Sequence, residues 1–245
     1  MNDIFDVLRF ELVLRREIKV NIRNYLGIAA FIFGLYFLIY LIAFFTGNPP
    51  GPDFDRGFFS SFLIIGGSIF TSLAFNELKA PVGYFYLTFP ASMPEKYLSK
   101  WIITSLGWTI TYIVSYYIFF FIEHMLFRII LGKDLALINI LDRGQMIIIG
   151  IFLFIHSVYL LGAAIFKQNA FIKMTISITV ISLLIALAFG LTLYLMDKTS
   201  EVHLSGNHLE PHEMEIFGDI TKYTMIVLTP ILWVIAYLRL KETEL

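Results

Sequence analysis

The sequence predicts an all-α, polytopic membrane protein with six transmembrane helices, an N-terminal interfacial helix and both termini in the cytoplasm. Three observations predict this class: 58% of the 245 residues are apolar and 15% are charged, the mean hydropathy is +0.78, and long uncharged intervals recur along the chain. Soluble domains are about 45–50% apolar and about 25% charged. The composition therefore excludes a disordered chain, argues against a soluble enzyme, and indicates a single transmembrane domain over residues 1–245.

Residues 3–24 predict a helix lying in the membrane interface, because cationic and large apolar residues alternate there without Gly or Pro. A solvated tail is the alternative interpretation. The mixed charge of this segment is unlike a cleavable signal peptide, so we expect the first span to be retained.

The spans are predicted from the intervals between charged residues, because a helix needs about 20 mostly apolar residues to cross the hydrocarbon core. Six intervals meet or approach that length, and their continuous apolar character favours helices over a β-barrel. The predicted spans are residues 27–46, 57–76, 101–122, 144–166, 174–196 and 223–238. The last is short, contains Pro230, and depends on Lys222 and Arg239 extending their side chains toward the headgroups.

Positive charge predicts the orientation, since Lys and Arg are enriched in cytoplasmic connections. Twelve Lys and Arg residues fall on the side of the two termini and six fall on the other side. Both termini are therefore predicted to be cytoplasmic. This orientation puts the connection 77–98 in the cytoplasm and the polar connection 197–222 outside.

The cytoplasmic connection 77–98 has the most informative local pattern. Ser92 and Glu95 have the spacing of a capping box, which predicts a helix that begins at Ser92 and continues into the third span. The part from Gly83 to Phe89 is apolar and aromatic, and an exposed apolar segment of this kind requires a covering partner.

The topology and this connection resemble those of the membrane subunit of type-2 ATP-binding-cassette exporters. The resemblance is carried by Leu87-Thr88-Phe89-Pro90-Ala91-Ser92, then Glu95-Lys96-Tyr97-Leu98-Ser99-Lys100, and by the ending Tyr237-Leu238-Arg239-Leu240-Lys241-Glu242. It implies a permease in the plasma (inner) membrane of a bacterium, paired with a second copy or a paralogue. It also implies that 77–98 docks as a coupling helix on a separate ATPase subunit, which binds ATP and Mg.

The coupling residues implied by the resemblance are Pro81, Tyr84, Leu87, Phe89, Pro90, Ser92 and Glu95. Members of this family often have a short re-entrant helix pair before the sixth span. The strongly polar stretch 197–222 departs from that pattern.

Several absences limit the function. No Gly-x-x-x-x-Gly-Lys-[Ser/Thr] run occurs, so we expect this chain to bind no cofactor and not to hydrolyse ATP alone. The absence of cysteine excludes disulfides and thiolate metal sites. A net charge of −1 argues against nucleic acid as a partner, and leaves membrane lipid and protein subunits.

Two other function classes remain open. A non-transport membrane scaffold or assembly factor could use the aromatic connection to recruit a cytoplasmic partner. A membrane enzyme acting on lipid would need polar catalysts at depth, yet the first five predicted spans contain no Asp, Glu, Lys or Arg. Their one histidine, His156, is interpreted as an interhelical hydrogen-bonding residue. The same absence of carboxylates argues against an ion-coupled transporter.

Two remaining features receive structural interpretations. The outer connection contains possible metal ligands, but their spacing matches no zinc motif, so we predict a solvated acidic loop and no metal site: His203, His208, Glu210, His212 and Glu213. Clusters of small residues predict close helix packing, within the chain in preference to a contact between two copies: Gly66-Gly67-Ser68, Gly162-Ala163-Ala164, and Ala186, Ala188 and Gly190.

Overall fold

Six long helices account for most of the described chain, and no strand occurs within it. The computed structural model describes residues 5–78, 90–135, 137–140, 142–166, 168–199 and 211–242. The helices are α1 (Val7–Thr46), α2 (Pro52–Ser72), α3 (Met93–Leu131), α4 (Arg143–Ile165), α5 (Ala170–Thr199) and α6 (Pro211–Lys241). The all-α prediction is therefore confirmed.

Five helices are long and apolar enough to cross a membrane: α1, α3, α4, the part Ala170–Thr192 of α5 and the part Lys222–Lys241 of α6. The last of these includes the short sixth interval. The helix α2 is not among the five, because its first turns carry Asp53, Asp55 and Arg56, which lower its mean hydropathy. The helices thus support a membrane protein, while six spans and cytoplasmic termini stay predictions.

The helix α1 joins the predicted interfacial segment and first span into one continuous helix of 40 residues. The sequence instead indicated two segments, 3–24 and 27–46. The helix begins after Asp6, whose carboxylate accepts hydrogen bonds from the backbone N–H groups of Leu8 (2.8 Å) and Arg9 (3.1 Å). Its length of about 60 Å is twice the roughly 30 Å of a hydrocarbon core, so α1 extends well beyond one.

The helix α3 begins where the capping box predicts. Ser92 is the N-cap, and the Glu95 carboxylate accepts a hydrogen bond from the Ser92 backbone N–H at 2.9 Å. The helix then passes through two π-helical turns, Ile103–Gly107 and Phe127–Leu131, and ends at Gly132, whose φ of 62° is left-handed. It therefore continues beyond the predicted end of the third span at residue 122.

The larger core is aromatic and lies among α1, α2, α3 and α4. Its fully buried large side chains include Phe33, Tyr36, Tyr40, Phe59, Trp108, Tyr112, Tyr116 and Phe152. A smaller core joins α4 and α6, and contains Leu160, Ala163, Ala164, Ala236 and Leu240. The ionisable residues of the candidate site lie at the two ends of the larger core, so the packing of that core positions them.

Small residues create close contacts in α2 and α4. A β-carbon added at Gly67 would lie 2.3 Å from Phe152 Cε2, and one added at Gly162 would lie 2.8 Å from Met174 Cγ. The prediction of packing within the chain is thus confirmed for these two clusters. It is wrong for the third: Ala186, Ala188 and Gly190 are exposed on α5, where no described atom approaches the β-carbon position of Gly190 within 4 Å.

Candidate functional site

Two groups of ionisable side chains lie at opposite ends of the α1–α2–α3 packing. The first, the basal charge cluster, contains Arg9, Arg16, Glu17, Glu77, Glu95 and Lys100. The second, the acid–tyrosine cluster, contains Tyr36, Tyr40, Asp55, Tyr116 and Glu123. From Glu17 to Tyr40 the helix α1 rises roughly 35 Å. That separation is close to the thickness of a hydrocarbon core, about 30 Å.

The carboxylate of Glu95 joins the beginnings of two helices. It accepts hydrogen bonds from the backbone N–H groups of Asp6 at 2.7 Å and Ser92 at 2.9 Å, which are the N-caps of α1 and α3. It also accepts two from the Arg9 guanidinium, from Nε and Nη2, each at 2.8 Å. Helix N-termini have unpaired N–H groups and favour negative charge. A fully buried Glu95 therefore stabilises both helix starts at once.

Four charged residues alternate in sign beneath this contact. Lys100 Nζ ion-pairs with Glu17 and, at 3.0 Å, with Glu77 Oε1. Arg16 contacts the same two carboxylates, at 2.7 Å to Glu17 and 3.2 Å to Glu77. Lys100 and Glu17 are almost completely buried. Each charge therefore has neighbours of opposite sign, as buried ions require.

The basal charge cluster flanks both ends of the predicted coupling segment. Glu77 lies in a short 3₁₀ turn, Asn76–Leu78, at the end of one described range, and Glu95 follows the start of the next range at residue 90. Both are bound to α1, through Arg16 and Arg9. Both ends of the connection 77–98 are thus fixed to the N-terminal helix α1.

The residues implied for coupling divide into two groups. Pro81, Tyr84, Leu87 and Phe89 lie outside the described residues. Of the others, Pro90 is exposed, Ser92 is half-buried and Glu95 is fully buried. Glu95 is therefore a positioning residue at the base of the connection, whereas Pro90 is accessible to a partner.

Sequence reasoning missed the residues of α1 that complete the basal charge cluster. Arg16 and Glu17 follow Arg9 by seven and eight positions, which is about two helical turns. This spacing places all three residues on one side of a helix. That spacing could have indicated a common partner. Nothing in it identifies Glu95, Glu77 or Lys100 as that partner.

Two acids at the borders of predicted spans are also buried. Asp55 Oδ1 accepts hydrogen bonds from the hydroxyl groups of Tyr40 (2.5 Å) and Tyr36 (3.2 Å). Glu123 lies just beyond the predicted third span and is 1% exposed. The first five predicted spans contain no carboxylate, yet these two acids, just outside those spans, are enclosed by the helices. A lack of buried carboxylates therefore no longer argues against an ion-coupled transporter.

His156 makes hydrogen bonds to two other helices, in agreement with its interpretation from sequence. Trp233 Nε1 on α6 donates to His156 Nδ1 at 3.4 Å. Since the indole N–H only donates, Nδ1 accepts and a neutral ring carries its proton on Nε2. Nε2 lies 2.9 Å from Thr104 Oγ1 of α3, whose hydroxyl donates to the Lys100 carbonyl at 2.8 Å. These bonds connect α3, α4 and α6.

The described part of the chain contains no group of three or more His, Cys, Asp or Glu residues suited to a metal ion. The possible ligands of the outer connection, His203 to Glu213, lie where no side chain is described. The prediction of a loop over 197–222 is wrong at both ends, since α5 continues to Thr199 and α6 begins at Pro211; residues 200–210 lie outside the described residues.

Neither a protein-family model, nor a curated protein, nor a solved structure matches this chain.

Proposed function

We propose that this chain is the permease subunit of an ATP-binding-cassette exporter. It pairs with a second copy or a paralogue in the plasma (inner) membrane of a bacterium, and a separate ATPase subunit powers it. The observation that supports this proposal is the basal charge cluster, which fixes both ends of the connection 77–98 to α1. A connection held in this way transmits an applied force to the helices that hold it.

The mechanism starts at the connection. Arg16 holds its beginning through Glu77, and Arg9 holds its end through Glu95. When the ATPase subunits close on ATP and Mg, the docked connection moves. Because its ends are fixed, α1, α2 and α3 move with it as one body.

Transport requires that this movement favours one of two arrangements of the paired permeases. Nucleotide binding can drive the change only if the two arrangements differ in nucleotide affinity. The main core supplies a rigid body, since Trp108 and Phe152 fill the space left by Gly66 and Gly67. Such close-packed interiors transmit displacement instead of absorbing it.

The test is affinity purification of the chain from native membranes in mild detergent, with identification of co-purifying proteins and an ATPase assay. We expect a P-loop ATPase in the complex. Replacing Phe89 and Pro90 together by Ala should remove it. Recovery of intact chain without an ATPase would contradict the proposal and favour a scaffold.

A second pair of variants separates docking from force transmission. Arg9→Ala should leave the ATPase bound but reduce the permease-dependent stimulation of ATP hydrolysis, because among the described residues Glu95 is then held to α1 only by the Asp6 backbone N–H. Arg15→Ala is the matched control, since Arg15 is exposed and its ion pair among the described residues is with Glu11 of the same helix. Equal stimulation in both variants would contradict the mechanism.

A further inference from the structure

The acid–tyrosine cluster contains a carboxylate that the fold buries without a hydrogen-bonding partner. Glu123 is 1% exposed, and neither of its oxygens accepts a hydrogen bond from any residue that the structure describes. The hydroxyl group of Tyr116, two turns earlier on the same helix, is also buried and lies near that of Tyr36. Leaving a buried polar group unpaired destabilises the fold, and a charged group does so more strongly. The two unpaired oxygen atoms of Glu123 indicate a missing binding partner.

The second acid lies on a neighbouring helix. Asp55 of α2 interacts electrostatically with Glu123, and Glu123 does so with Tyr40 and Tyr116. Asp55 receives both of its described hydrogen bonds from α1, through Tyr36 and Tyr40. Three helices thus direct oxygen atoms toward one region.

Aromatic rings enclose this region. The Tyr36 and Tyr116 ring centroids are 6.0 Å apart, and Phe127 meets the Tyr40 ring edge-to-face at 6.1 Å. Phe120 lies 6.2 Å from Tyr116. Asp55 and Glu123 are both buried, and two carboxylates in so apolar an environment need either a bound proton or a positive charge nearby.

No described Lys or Arg side chain ion-pairs with either acid. Carboxylate and hydroxyl oxygens are the ligands that hard cations prefer, and Ca²⁺ in particular tolerates irregular shells of them. We propose that Asp55 and Glu123, with the hydroxyl groups of Tyr40 and Tyr116, form a buried binding site for a hard metal cation such as Na⁺ or Ca²⁺. The proposal is independent of the proposed transport function.

The test measures the thermal unfolding of the full chain in detergent while Na⁺ or Ca²⁺ replaces N-methyl-D-glucamine at constant ionic strength. At an ion concentration of about 100 times the Kd, we expect a rise in Tm of about 5–10 °C. Glu123→Gln should abolish the rise. Asp53→Asn is the matched control, because Asp53 is on the same helix as Asp55 but is 94% exposed, and it should retain the full rise.

A milder variant keeps the test decisive if Glu123→Gln does not fold. Tyr116→Phe removes a single hydroxyl group and preserves the ring, so it should raise the ion concentration needed for half of the Tm rise. Two results would overturn the proposal: no response to either ion, with stability depending on pH alone as for a proton shared between the acids, or an undiminished response in both Glu123→Gln and Tyr116→Phe.

Discussion

Arg9 and Glu95 are 86 residues apart in the sequence and form a bidentate ion pair, with Nε–Oε2 and Nη2–Oε1 distances of 2.8 Å. The pair joins the first turn of α1 to the first turn of α3. Two parallel hydrogen bonds between a guanidinium and a carboxylate fix orientation as well as distance. The start of α3 therefore cannot rotate relative to α1 without breaking a charged contact.

Replacing Arg9 by Ala should lower the free energy of unfolding by about 2–3 kcal/mol, because Glu95 remains buried with only backbone donors. Unfolding of the purified chain in detergent measures the change. Arg9→Lys should recover part of it, since an ammonium cannot reproduce the planar fork. The exposed-site variant Arg15→Ala should cost less than about 0.5 kcal/mol. Equal losses for Arg9→Ala and Arg15→Ala would contradict this role.

Lys100→Met should have a larger effect and lower the free energy of unfolding by about 3–5 kcal/mol in total. The reason is that the buried Glu17 carboxylate then lacks the positive charge of the Lys100 ammonium group. The same unfolding measurement applies, with Lys19→Met as the control on the exposed side of α1. Adding Glu17→Gln to Lys100→Met should recover stability, since the uncompensated charge is removed. Purely additive losses would show that the two residues do not form a functional pair.

Gly67→Ala should destabilise the chain by about 1–3 kcal/mol, because the new methyl group would displace the Trp108 and Phe152 rings. Gly34→Ala is the contrasting variant: its β-carbon position has no neighbour within 4 Å. Removing a glycine from a helix interior there should stabilise it by about 0.5–1 kcal/mol. Thermal unfolding of the two variants tests the predicted decrease in stability for Gly67→Ala and the predicted increase for Gly34→Ala. A Gly67→Ala protein as stable as the parent chain would contradict the close packing of α2.

His156→Ala should cost about 1–3 kcal/mol, because it removes the acceptor of the Trp233 indole N–H and a partner of Thr104. Unfolding in detergent measures this loss. The result bears on the lipid-enzyme alternative. A variant of unchanged stability that loses a lipid-directed activity would reverse the structural interpretation of His156.

The helices could be predicted because a hydrocarbon environment leaves few options for the backbone. An uncharged interval of sufficient length must satisfy its own N–H and C=O groups, and a helix does so locally. The start of α3 was equally predictable, since Ser92 and Glu95 are three residues apart and act within one turn. Both signals are short-range properties of the chain.

The orientation of each helix about its axis could not be predicted. Asp53 and Asp55 are two residues apart in the first turn of α2, yet Asp53 faces outward and Asp55 is buried against Tyr40. Two positions differ by about 200° around a helix, and only tertiary packing decides which one faces inward. Glu123 was missed for the same reason, as were the partners of Arg9 and Arg16.

Every residue of the basal charge cluster and of the acid–tyrosine cluster precedes residue 132 in the chain. Translation therefore delivers α1, α2 and α3, with all these charges, before α4 leaves the ribosome. The three helices can neutralise one another's ions as soon as they meet in the bilayer. The later helices then dock on a partly finished surface, where Phe152 packs in the first core and His156 meets Thr104 of α3. The burial of these charged residues can therefore take place early, while the nascent chain is still attached to the ribosome.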